Sequence, residues 1–163
     1  MTLKSALQVS ICAISVLAIA INAQTLSPAA ENAKAFIIEP KDGAVVTSPV
    51  TVKFGLKNMT VIPAGVEHTN SGHHHLLVDV DKLPDMHQPI PADANHIHFG
   101  KGQTETSLEL APGKHTLQLL LGDHLHRPHD KPVLSKKITV TVKAASAMSE
   151  KAPTDAKMKS EMK

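Results

Sequence analysis

His73-His74-His75-Leu76-Leu77-Val78-Asp79-Val80 joins three consecutive imidazoles to a short apolar run. The run is too short for a helix of ordinary length and is bounded by polar residues, so it reads as a buried strand. Side chains on a strand alternate between faces. His74, Leu76, Val78 and Val80 therefore share an inward face, and His73, His75, Leu77 and Asp79 point outward. All 11 histidines of the chain fall between His68 and His129. Two further groups, His96-Ile97-His98 and His124-Leu125-His126, repeat the two-residue spacing that sets side chains on one side of an extended chain.

Working outward, the same alternation recurs. Val50, Val52, Phe54 and Leu56 define a strand over 50–56, and Leu117, Leu119 and Leu121 define one over 114–121. Ile138, Val140 and Val142 mark a last strand within 133–143. Shorter strands are predicted at 35–39 (ended by Pro40), 73–80, 96–99 and 105–110. Turn chemistry separates them at Lys41-Asp42-Gly43, Gly100-Lys101-Gly102 and Ala111-Pro112-Gly113. Loops run over 57–72, 81–95 (with Pro84, Pro89 and Pro91) and 122–132. No segment of this span has helical spacing. Seven short strands predict an all-β fold, a two-sheet Ig-like antiparallel β-sandwich over 35–143. The Cys–Trp–Cys hallmark of true immunoglobulin domains is missing, so other antiparallel sandwiches stay open.

Residues 1–23 have the layout of a signal peptide: Lys4, an apolar core over Val9–Ile21, and Asn22-Ala23 at the cut. That core is shorter than the roughly 20 residues a membrane span needs. The expected product is periplasmic or secreted, with no membrane span after cleavage. Cys12 is the only cysteine and lies in this leader, so the mature chain has no thiol or disulfide. A flexible lead-in is expected at 24–34. A disordered tail is expected at 144–163, where Met148, Met158 and Met162 are too scattered to form a copper-gathering array. A formal charge of +2 gives no reason to expect nucleic acid. Aromatic residues make up 2% of the chain, with no Trp or Tyr, which disfavours stacking on sugars.

In a sandwich of this kind the loops at 57–72, 100–104 and 122–132 emerge at one end. His68, His73, His98 and the 124–129 group are thereby brought together. Gly122 leaves space over the outward face beside His73 and His75. If 96–99 pairs with 73–80, His96 and His98 join that face. If it pairs with 105–110, they face away. Both pairings are open at this stage. His74 reads as a residue at the core edge held by Asp123, and His115 is given no function. Neutral imidazole is a ligand for zinc and copper, so the predicted metal ligands are His73, His75, His96, His98, His124 and His126, with Asp79 or Glu105 nearby. The expected function is an exported module holding Cu(II) or Zn(II). Its alternatives are a non-metal envelope interaction domain with a structural or pH-responsive histidine network and a metal-assisted hydrolase using His73, His75 and His98, with Asp79 or Glu105 as base. No Gly-x-Ser-x-Gly, His-Glu-x-x-His or phosphate loop is present.

Four motifs, Gly72–Asp79, Pro89-Ile90-Pro91-Ala92-Asp93, His96–Gly100 with Gly102–Glu105, and Pro112–Leu119, together resemble the bacterial family named domain of unknown function 4399. The resemblance spans about Val50 to Val142. It implies small exported bacterial proteins without a settled activity. It also favours histidines inside these motifs over His68, His87 and His129.

Overall fold

The strand opened by the three histidines, Ser71–Val78, is buried at every position. A strand with both faces covered must sit inside two layers of packing, and each layer has an identifiable source. The computed structural model describes residues 25–144. The expected signal peptide, and the expected tail beyond its first residue, lie outside the described residues.

The described residues form nine strands: β1 (Lys34–Glu39), β2 (Val45–Val46), β3 (Val50–Lys57), β4 (Thr60–Val61), β5 (Ser71–Val78), β6 (His96–His98), β7 (Glu105–Leu108), β8 (Gly113–Gly122) and β9 (Ile138–Val142). One sheet has the order β1-β3-β7. The other has the order β2-β9-β8-β5-β4, with β6 paired antiparallel to β5. Among the described residues there is no helix, and the fold is the expected all-β, Ig-like two-sheet sandwich. Two additions to the seven expected strands are the two-residue β2 and β4, which pair parallel with β9 and β5. The strand expected from 133 begins only at Ile138. Ser135 interrupts it, because its Oγ takes the Leu119 N–H at 2.8 Å in place of a ladder bond. The strand expected over 105–110 stops at Leu108, and the Leu110 N–H turns instead to Ser48 Oγ.

The inner layer is the core between the sheets. Val50, Val52 and Phe54 of β3 meet Leu76 and Val78 of β5, Leu117, Leu119 and Leu121 of β8, and Val140 and Val142 of β9. The alternation read from the sequence supplies all of these positions. His74 shares this core. It is fully buried, its ring lies edge-on to Phe54 with centroids 5.0 Å apart, and neither ring nitrogen has a partner. Burial pushes its pKa down to about 4. Asp123 does not hold it, contrary to expectation; that carboxylate is occupied by Ser27, Leu125 and Arg127.

The outer layer comes from the connection between β5 and β6. Ile90 packs on Leu77 and Leu120, with Val80, Leu83, Met86 and Leu134 around them. Residues 79–95 thus cross the outward face of the second sheet instead of running free in solvent. They are pinned by Ile90 N–H to His126 O at 2.8 Å and by Asn95 Nδ2 to Val78 O at 2.8 Å.

At the far end, His115 donates to Asp79 Oδ2 at 2.7 Å and to Ala111 O at 2.8 Å. With a carboxylate and a carbonyl on its two nitrogens, the ring is favoured as imidazolium and its pKa is raised. The lead-in is tethered where it is described. Ser27 Oγ donates to Asp123, Ala29 N–H to Asp130, and Asp130 N–H to Ser27 O. The segment lies as a strap along the 123–130 loop.

Candidate metal centre

The β6 pairing determines where the second histidine group goes. Its register sets His98 opposite His75 and His96 opposite Leu77. On the other side of β5, β8 sets Gly122 opposite His73 and Leu120 opposite His75. Loop contacts draw the connecting segments to the same end: Ala64 N–H donates to Gly100 O at 2.9 Å, and Gly65 N–H to His124 O at 3.2 Å.

Four rings meet there. Ring centroids of His73, His98 and His126 form a nearly equilateral triangle with sides of 4.9, 4.9 and 4.8 Å. His75 is the fourth, 4.9 Å from His73, 5.0 Å from His98 and 6.2 Å from His126. One nitrogen from each of His73, His98 and His126 can be chosen so that all lie within 4.8 Å of one another. For metal–nitrogen bonds near 2.0–2.1 Å, two imidazoles at a tetrahedral angle have ring centres about 5 Å apart. The spacing matches.

Each ring is positioned by a different local device. His73 and His75 are on one strand face by alternation. His98 arrives through β6. His126 sits in a loop with φ of 64°, the left-handed region that side-chain-bearing residues seldom adopt. Asp123 builds that loop. Its Oδ1 accepts the N–H groups of Leu125 and Arg127, each at 2.9 Å, and its own backbone pairs with Arg127 O and His126 N–H. Two glycines make room. A Cβ at Gly122 would lie 2.8 Å from His75 Cε1, and one at Gly100 would lie 2.8 Å from His98 Nε2.

His73 and His75 are completely buried, and neither has a hydrogen-bond partner on either ring nitrogen; His98 Nε2 is likewise unpartnered. Buried polar groups are rarely left so, because each orphan costs on the order of 1–3 kcal/mol. Desolvation, and then the neighbouring imidazoles, push His73 down to about 4 and His75 further, to about 2. Burial and then His126 lower His98. At neutral pH these rings are uncharged, and a nitrogen of His73, one of His98 and one of His126 lie close enough together to share an ion.

Two of the six predicted ligands stand apart. His96 turns to Asp93, Nδ1 to Oδ1 at 2.9 Å, two register positions beyond the His75–His98 pair. His124 lines the cleft with Glu67, His68 and Asp123. The spacing rule that placed it beside His126 holds for extended chain, and the Asp123–Arg127 turn is not extended. Asp79 belongs to His115 and the Thr116 N–H at the far end, and Glu105 lies on β7 in the opposite sheet. Neither acid is near the cluster. His129, outside the expected set, is buried and donates Nε2–H to Ser71 O at 3.1 Å. The sequence reading also missed the cover over the site. Leu83, Met86 and Ile90, apolar residues within a proline-rich connection, were the signal for it.

A family described as Domain of unknown function (DUF4399) has a model that matches residues 52–143. The chain belongs to this family. All four clustered histidines, together with Gly100, Gly122 and Asp123, fall inside the DUF4399 match, whereas β1 and the strap at 25–33 precede it. No curated protein matches the chain. Among solved structures, the fibronectin(III)-like modules of Clostridium thermocellum CbhA are similar at 12% identity and a TM-score of 0.39, over 67% of this chain and 95% of that one.

Proposed function

We propose that this DUF4399 protein is an exported binding module that holds one transition-metal ion, of copper or zinc, in a cage made by His73, His75, His98 and His126. The observation that carries this reading is the convergence of four rings, two fully buried (His73 and His75) and two half-buried (His98 and His126), drawn from two strands of one sheet and a loop, with five ring nitrogens lacking any partner. A metal ion would give these lone pairs the partner that burial denies them. The fully nitrogen donor set suits zinc or copper and not magnesium or calcium. Export rests on the signal-like residues 1–23. The hydrolase alternative loses both of its candidate bases, since Asp79 and Glu105 lie elsewhere in the fold.

Titration of the purified chain with copper and zinc salts, followed by thermal melting, tests this. One ion per chain should raise the midpoint, because ligand at 100 times its Kd adds about 2.7 kcal/mol of stability. His73→Ala and His98→Ala should abolish the rise, whereas His96→Gln and His124→Gln should retain it. A midpoint indifferent to every metal refutes the proposal.

A further inference from the structure

We infer that the cage is selective for monovalent copper, Cu(I), over Cu(II) and Zn(II). The inference rests on the metal-binding reading and names the ion that reading leaves open. Two features support it: the charge of the surroundings, which weighs against both divalent ions, and the shape of the donor set, which weighs against Cu(II).

The first is charge. Among the described residues no carboxylate joins the group of ligand atoms. Asp123, the acid whose charge is felt at His73, is already satisfied by Ser27 Oγ at 2.8 Å, by two backbone N–H groups at 2.9 Å, and by Arg127 Nη2 at 3.7 Å. Asp93 is engaged by His96, and Asp79 by His115. Four neutral imidazoles leave an ion's charge whole, and the cost of burying it grows as the square of that charge, about fourfold more for a divalent than a monovalent ion. Ligating histidines ordinarily pass their outer N–H to a carboxylate or carbonyl and so gain anionic character. No such partner exists for His73 or His75, whose nitrogens are all unpartnered. The cage lacks both means of neutralising a divalent ion.

The second is shape. Cu(II) with nitrogen ligands prefers a flat, tetragonal arrangement. In a flat set of four, both opposite pairs of rings lie about 6 Å apart for bonds near 2 Å. Here one pair, His75 and His126, is that wide at 6.2 Å, but the opposite pair, His73 and His98, is only 4.9 Å apart. The triangle of His73, His98 and His126 with His75 above it is a three- or four-coordinate, non-planar set, which a filled d shell accepts without penalty. The strands fix three of these rings, so flattening would require β6 to leave its register on β5.

The test is a set of competition titrations on the purified chain: anaerobic Cu(I), kept reduced with ascorbate, against a chromogenic Cu(I) chelator, and Zn(II) against a chromogenic zinc chelator. Electron paramagnetic resonance follows an equivalent of Cu(II). One Cu(I) per chain should bind at least ~10-fold more tightly than Zn(II), and Cu(II) should give no tetragonal four-nitrogen spectrum. His126→Asp places a carboxylate in the cage from a left-handed position that Asp tolerates, and it should move the preference at least ~10-fold toward Zn(II). His96→Gln should leave the ratio unchanged. Tighter Zn(II), a tetragonal Cu(II) spectrum, or an unchanged ratio in His126→Asp would overturn the Cu(I) assignment while leaving metal binding in place. Failure of all three ions to bind would remove the metal reading itself.

Discussion

Replacing Gly122 by alanine should damage the site and the fold together, and the structure says by how much. The new Cβ would lie 2.8 Å from Cε1 and 3.1 Å from Nδ1 of His75, with Ile90 Cδ1 at 3.4 Å. His75 cannot retreat easily, since its ring is stacked on His98 and wholly buried. Overpacking of this kind costs typically 1–3 kcal/mol. Alanine recovers roughly 0.5–1 kcal/mol through the lower entropy of its unfolded chain, so a net loss of about 1–2 kcal/mol is expected. For a domain of this size that lowers the melting temperature by roughly 5–10 °C. Gly72→Ala is the control. Its Cβ would meet Gly122 O at 2.5 Å and Leu121, backbone and core, with no ring among its nearest contacts. Urea unfolding of the metal-free chains and metal titration of the folded ones separate the effects. Both variants should lose stability, but only Gly122→Ala should also weaken metal affinity. A Gly122→Ala chain that melts and binds as wild type would show that the ring of His75 is not where the packing places it.

Two other outcomes follow from particular residues. His126→Gly and His126→Ala both remove a ligand, but only glycine relieves the left-handed backbone, so the glycine variant should be the more stable by about 1 kcal/mol in urea; equal midpoints would contradict strain at this position. His74 is pushed down to about 4 in the fold against 6.5 when unfolded, so between these values the unfolded chain binds more protons and stability falls as pH drops from 6.5 toward 4. The loss attributable to His74 is about 3 kcal/mol at most, fully present only near the lower limit. His74→Leu removes it along with two orphaned nitrogens, so urea midpoints measured from pH 7.5 to 4 should decline less steeply than in the parent, and parallel curves would exclude His74 as the source.

Much of the fold was legible in the sequence because it depends on parity. The alternation in Val50–Leu56, His73–Val78 and Leu117–Leu121 assigned the core correctly, since a strand with one face on a core repeats every second residue, whereas Val80, expected inward, lies past the end of β5 and packs in the outer layer. The same parity put His73 and His75 on the outward face and left Gly122 as the gap beside them. It failed where the chain is not extended. His124 was paired with His126 on a spacing that the Asp123–Arg127 turn does not obey, and His96 was drawn off by Asp93, a partner only three residues away.

By itself the sequence determined the sandwich, its inward residues and the supply of imidazoles, because local alternation and turn chemistry act over a few residues at a time. Only the tertiary structure decided which rings share a space. That outcome turns on β6 choosing β5 over β7, on residues 79–95 folding over the outer face, and on a carboxylate at Asp123 holding His126 in place. These are contacts between segments tens of residues apart, and their energies are set by burial and by hydrogen bonds that no local pattern encodes.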